Sequence, residues 1–159
     1  MVTTEPFKEI VFAGAKEVFE SMVFMPIEES RDTALNPEAV TLLATITFTG
    51  RLEGCFCLCC ERSCAAAVAA SMLCLDSADD LGADDVVDAL GEIANMVMGA
   101  VKTRIQDQFQ NIEISIPSVV EGRQLASRLA EGAVKTIVTA TVGKDHAAEF
   151  SLLYRSNQS

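Results

Sequence analysis

The residues best placed to do chemistry lie between Asp88 and Lys102. Asp88, Glu92, Asn95, Gly99 and Lys102 follow one another at steps of four, three, four and three residues. On a helix turning about 100° per residue, those steps keep all five on one side. Val86, Leu90, Ile93, Ala94, Val97, Val101 and Ile105 recur with the same period and fill the opposite side. The pattern predicts a polar stripe in solvent and an apolar face against a core. A carboxylate and a carboxamide one turn apart have a narrow chemical range. The Asn can accept from and donate to a water, and the Glu can pair with a cation. Neither is a strong base, and no activated nucleophile of the Ser-His or Cys-His kind accompanies them. The pair suits the positioning of a water for in-line attack when a partner supplies metal and charge. An ordinary solvated helix face has the same look, and the residues alone leave both readings open. Gly99 is the odd member of the stripe, because Ala there would favour the helix by about 1 kcal/mol. A partner backbone coming close would account for it, and so would tight packing within the chain.

Six cysteines are the second candidate: Cys55, Cys57, Cys59, Cys60, Cys64 and Cys74. An extended chain turns Cys55, Cys57 and Cys59 to one face. Zinc knuckles use two or more intervening residues and a turn, which this run lacks. Small buried thiols in a strand are the plainer reading, and a metal or redox site shared across a dimer is the sharper one. The single His excludes a multi-histidine metal site within one chain.

The elements that must position these residues follow from periodicity. Glu5 to Val23 reads as an amphipathic helix, capped by Thr3 or Thr4. Met25 to Pro37 reads as a connector. Val40–Thr49 and Leu52–Cys60 read as a hairpin around Gly50-Arg51. Glu61 to Leu75 reads as a helix with five Ala between Ala65 and Ala70. An acidic junction follows, and then the long helix, Asp84 to Phe109, with Asp84 or Asp85 complementing its N-terminus. Ile112, Ile114 and Ile116 alternate strictly in a strand over Asn111–Ile116, ended by Pro117. Ser118 to Gly132 reads as a loop with a short helix over Gln124–Glu131. Ala133–Val142 and Ala147–Tyr154 read as a closing hairpin around Gly143-Lys144-Asp145, with His146 at the start of the last strand. The result is α+β, in one domain over residues 1–159.

Composition narrows the function classes. Twelve Lys and Arg against 23 Asp and Glu give a formal charge of −11. That balance speaks against non-specific binding to nucleic acid or to anionic membranes. With no Trp and one Tyr, a base-stacking surface is not expected. Glu5, Lys8 and Glu9 interrupt any signal-peptide run, and no stretch has transmembrane length without a charge. No glycine-rich strand-to-helix phosphate loop occurs. A cytoplasmic protein is expected.

The run Asp88-x3-Glu92-x2-Asn95, with Met96, Gly99 and Lys102 and then Pro117, resembles the CheX-like chemotaxis phosphatases, the group that also holds CheC and FliY. Between Asn95 and Pro117 lie 21 residues, one fewer than the family spacing. The stretches from Gly91 to Gly99 and from Ile114 to Gly122 are also family-like. The resemblance implies a CheC-like fold, a mixed and mostly antiparallel sheet packed against long helices. It implies an enzyme that removes the phosphoryl group from the aspartyl phosphate of a CheY-like response regulator. In that picture Asn95 orients the attacking water and Glu92 pairs with the regulator's active-site Lys. Asp88 supports the contact, Gly99 lets the regulator approach, and Met96 and Met98 are adaptable flanking contacts. Lys102 pairs with acidic groups on the partner, and Pro117 shapes the region beside the site. The chain binds no cofactor itself, and Mg²⁺ arrives on the regulator. A homodimer is implied. Some relatives carry two motifs, but here Phe12 stands where an Asn would follow Glu9, so one site per chain is expected. The alternative is a non-catalytic protein that binds a receiver domain or acts as a scaffold in signalling.

Overall fold

The computed structural model describes residues 4–30, 35–123, 125 and 132–156. The first helix, α1 (Thr4–Val18), runs into a π-helical turn (Phe19–Val23), which ends at Phe24 in the left-handed region with φ 64°. Then come β1 (Ile27–Glu29), the hairpin β2 (Thr41–Thr49) and β3 (Leu52–Glu61), and α2 (Arg62–Met72). A 3-10 turn (Ala78–Asp80) leads into α3 (Ala83–Ile105). The chain closes with β4 (Glu113–Ile114), β5 (Ser118–Gly122) and the hairpin β6 (Val134–Val142) and β7 (His146–Ser156).

The strands form one sheet in the order β1-β6-β7-β3-β2-β4, with β5 also alongside β2. Every described pairing is antiparallel. Alternation assigns the two faces. Leu42, Ala44, Ile46 and Phe48 of β2, Phe56 and Leu58 of β3, and Phe150 and Leu152 of β7 face the helices. Leu43, Cys55, Cys57 and Leu153 form a smaller cluster on the other face. The fold is the expected α+β one, with helices covering one side of an antiparallel sheet.

α3 lies in the middle of the helical layer. Its apolar face is buried as the period requires, with Ile93, Ala94, Val97 and Val101 fully enclosed. α1 crosses it closely: a Cβ on Gly14 would lie 3.2 Å from Val101 Cγ2. Arg104 ties the same crossing by donating to Glu17 at 3.2 Å and to the Ala100 carbonyl at 3.0 Å. At the N-terminus the Asp85 carboxylate accepts from the Gly82 N–H at 3.0 Å, which gives the capping role to Asp85.

Four boundaries differ from the sequence reading. β1 occupies part of the expected connector, where three residues after Pro26 pair with Ala140–Val142. α3 ends at Ile105, four residues early, because Phe109 turns back into the core beside Phe7. The strand expected over Asn111–Ile116 shrinks to two residues. Ser118–Gly122, expected as loop, is an edge strand on β2 whose residues are mostly exposed. An exposed edge strand has no apolar alternation, so periodicity does not reveal it. The helix expected over Gln124–Glu131 and a cap at Thr3 lie outside the described residues.

Candidate active site

The long helix presents Asp88 and Glu92 exposed and Asn95, Gly99 and Lys102 half-buried, all on the side away from the core. Among the described residues, neither Glu92 nor Asn95 spends its side chain on a hydrogen bond or ion pair within the chain. Their polar atoms remain open to a partner. Gly99 is explained by subtraction: a Cβ there would meet nothing within 4 Å. Packing within the chain therefore does not require the glycine, which leaves the open space itself as the feature.

Pro117 reaches the helix from the adjacent edge of the sheet. A Cβ on Gly91 would come within 3.4 Å of Pro117 Cγ and 3.5 Å of Val119 Cγ2. Gly91 and Asn95 are four residues apart, so they stand one above the other, about 40° apart around the axis. Pro117 thus flanks the stripe on the side of Asn95. Gly91, which the motif reading passed over, is the seat for this contact. Its signal was present in the sequence as a second glycine inside a well-patterned helix.

The two methionines divide. Met96 is half-buried and packs against the core while keeping some exposure. Met98 is completely enclosed. Its assignment as a flanking surface contact is therefore incorrect: at this point in the helical period the side chain turns inward between Ala94 and Val101.

The thiols sit elsewhere. Cys55 and Cys57 share the sheet face turned away from the helices, with their Sγ atoms 4.0 Å apart. Cys60 and Cys64 lie in the main core on the helical side. Burial pushes the Cys59 thiol above its ordinary range, with the Thr41 hydroxyl working against it. The neighbouring Cys64 thiol, and then burial, raise Cys60 well above its ordinary value. Raised thiols stay protonated at neutral pH and are poor nucleophiles and poor metal ligands. Among the described residues, no group of three His, Cys, Asp or Glu side chains could hold a metal ion. Among them, too, no helix is long and apolar enough to cross a membrane.

Residues 42–141 match the family model for chemotaxis phosphatase CheX. The chain belongs to the CheX family. Solved structures share its fold throughout. A putative chemotaxis protein from Desulfovibrio vulgaris Hildenborough matches with a TM-score of 0.78 at 19% identity, over 94% of this chain and 97% of that one. Chemotaxis protein CheX from Vibrio vulnificus matches with a TM-score of 0.76 at 18% identity, over 98% and 100%. A CheX–CheY–BeF3–Mg²⁺ complex from Borrelia burgdorferi contains a chain that matches with a TM-score of 0.73 at 17% identity, over 94% and 98%. No curated protein matches the chain significantly in sequence. Membership in the CheX family supports a phosphatase role in chemotaxis, and the likeness to solved structures extends over nearly the whole fold.

Proposed function

We propose that the protein hydrolyses the aspartyl phosphate of a phosphorylated CheY-like response regulator, with α3 as the inserted element. The observation that carries this reading is the uncommitted Glu92–Asn95 pair on an exposed helix stripe, flanked by Pro117 on Gly91. Asn95 would place its carboxamide beside the phosphoryl group and hold the attacking water in line. Glu92 would pair with the regulator's active-site Lys and fix the pose. Asp88 and Lys102 would extend the contact along the stripe. Gly99 would leave room for the regulator's backbone, and Met96 would supply an adaptable flank.

The phosphoryl group and its Mg²⁺ would both come with the regulator. Metal supplies charge neutralisation on the phosphoryl oxygens. This chain then needs to contribute only orientation and electrostatics, which two polar side chains on a rigid helix can do. The Borrelia burgdorferi CheX that shares this fold occurs in a complex with CheY, BeF3 and Mg²⁺, which supports the choice of partner. The first helix offers no second site, because Phe12 packs against the core where a second Asn would be needed.

A homodimer belongs to the same proposal. Among the described residues, β1 pairs with the Ala140–Val142 end of β6, and further along that strand Val134 is 38% exposed and Ile137 41% exposed. This edge of the sheet would extend into a second copy. The function is tested by release of phosphate from a purified phosphorylated receiver domain. Catalytic amounts of this protein are expected to accelerate it, and an unchanged decay would refute the proposal.

A further inference from the structure

Ile112, Ile114 and Ile116 alternate as one buried face of a strand would, yet their fates diverge. Ile112 is 3% exposed and Ile114 packs against the core, whereas Ile116 is 86% exposed. The sheet register gives the reason. Ile114 pairs with Phe48, and Ser118 pairs with Thr45. Four residue steps on this segment answer three on β2, so one residue is extra and the strand bulges at 115–117. A bulge re-aims side chains, and bulges occur preferentially at sheet edges and beside active sites.

The bulge is held firmly. Ser115 N–H donates to the Thr47 carbonyl at 2.8 Å. Thr47 N–H donates to Ser115 Oγ at 2.9 Å, and Ser115 Oγ donates to the Ile116 carbonyl at 3.0 Å. On the other side Pro117 fixes its own φ and rests on Gly91. A single exposed aliphatic residue is ordinary on a protein surface. One turned outward by a bonded bulge, with its neighbour seated one residue before Glu92, is pre-organised for contact.

We infer that Ile116 is an apolar docking anchor for the phosphorylated receiver domain. It buries against an apolar patch at the rim of the receiver's phosphorylation pocket as α3 enters. The inference rests on the proposed function and adds a residue that sets affinity without touching the reacting atoms. Its rigid backbone lets it bind without the entropy loss of ordering a loop, which is how a few well-held apolar residues come to dominate an interface.

The test uses the full chain and a CheY-like receiver loaded with beryllofluoride and Mg²⁺, with calorimetric affinity and steady-state dephosphorylation as readouts. Ile116→Asp is expected to weaken binding about tenfold or more and to raise KM to match, while kcat at saturation stays within about twofold. Ile116→Leu is expected to behave like the wild type, and both variants to keep the wild-type melting temperature and sedimentation profile. An unchanged affinity in Ile116→Asp, with wild-type protein active, overturns the anchor and leaves the phosphatase reading standing. A changed oligomeric state in that variant also overturns it, because a second copy is then the occupant. Wild-type protein that neither binds nor accelerates decay overturns both.

Discussion

In the proposed function Asn95 would serve the chemistry and Glu92 the docking, and their substitutions should separate accordingly. Asn95→Ala would remove the group proposed to hold the water but leave the helix face intact, so the fold and the complex should persist. Glu92→Lys would reverse the charge proposed to meet the regulator's Lys. Its expected effect is a loss of affinity of about tenfold or more, since a like-charge contact replaces an attractive one. Calorimetric titration with a beryllofluoride-loaded receiver checks this, and equal affinity would remove the ion pair from the account. Both residues were legible as a pair from their spacing alone. What spacing could not supply was their freedom from intrachain partners, which depends on every side chain around the stripe.

The helix that carries them makes its own predictions. Gly99 has open space around its Cα, so Gly99→Ala should raise stability by about 1 kcal/mol through helix propensity. The same methyl group should weaken the regulator complex if the partner's backbone comes close there. Thermal unfolding and binding, measured on the one variant, test the two halves separately. Gly91 is the reverse case. Its hydrogen faces Pro117 and Val119, so Gly91→Leu should displace β5 and cost about 1–3 kcal/mol, visible as a lower melting temperature. The buried periods of α3, β2, β3, β6 and β7 could be read directly, because each has one face in the core. β1 and β5 could not, since a three-residue edge strand with one buried side chain is too short to show a period and a mostly solvated strand has none. The bulge at 115–117 could not either. It is a one-residue mismatch between distant strands, and it takes Ile116 out of the alternation that Ile112 and Ile114 follow.

At the scale of the whole molecule, the sheet keeps two chemistries apart. The Glu92–Asn95 stripe lies beyond the helical layer, and the Cys55–Cys57 cluster lies on the opposite sheet face. The thiols therefore contribute to stability, with a definite pH dependence. Cys59 and Cys60 hold their protons above the ordinary thiol value of 9.0 in the folded state. The unfolded chain releases those protons as pH passes that value. Their stabilisation is thus complete below about pH 9 and is lost as pH rises toward the folded values. The melting temperature should fall on the alkaline side, and more gently in Cys60→Ala, whose neutral-pH stability is lower. A thiol reagent at neutral pH should modify exposed Cys74 rapidly and the buried cysteines only on unfolding. Rapid reaction of all six would contradict a structural role. A net charge of −11 selects no partner by its field, so the proposed recognition would fall to the stripe, the bulge and the rigid helix that aligns them.

In the proposed mechanism everything turns on Asn95 positioning the water. The direct measurement is the decay of a phosphorylated CheY-like receiver domain with wild-type protein and with Asn95→Ala, both shown to be folded and to bind the beryllofluoride-loaded receiver. Wild-type protein is expected to accelerate phosphate release, and Asn95→Ala to lower the enzyme-dependent rate by about 100-fold. An Asn95→Ala protein that dephosphorylates the receiver at the wild-type rate would contradict it.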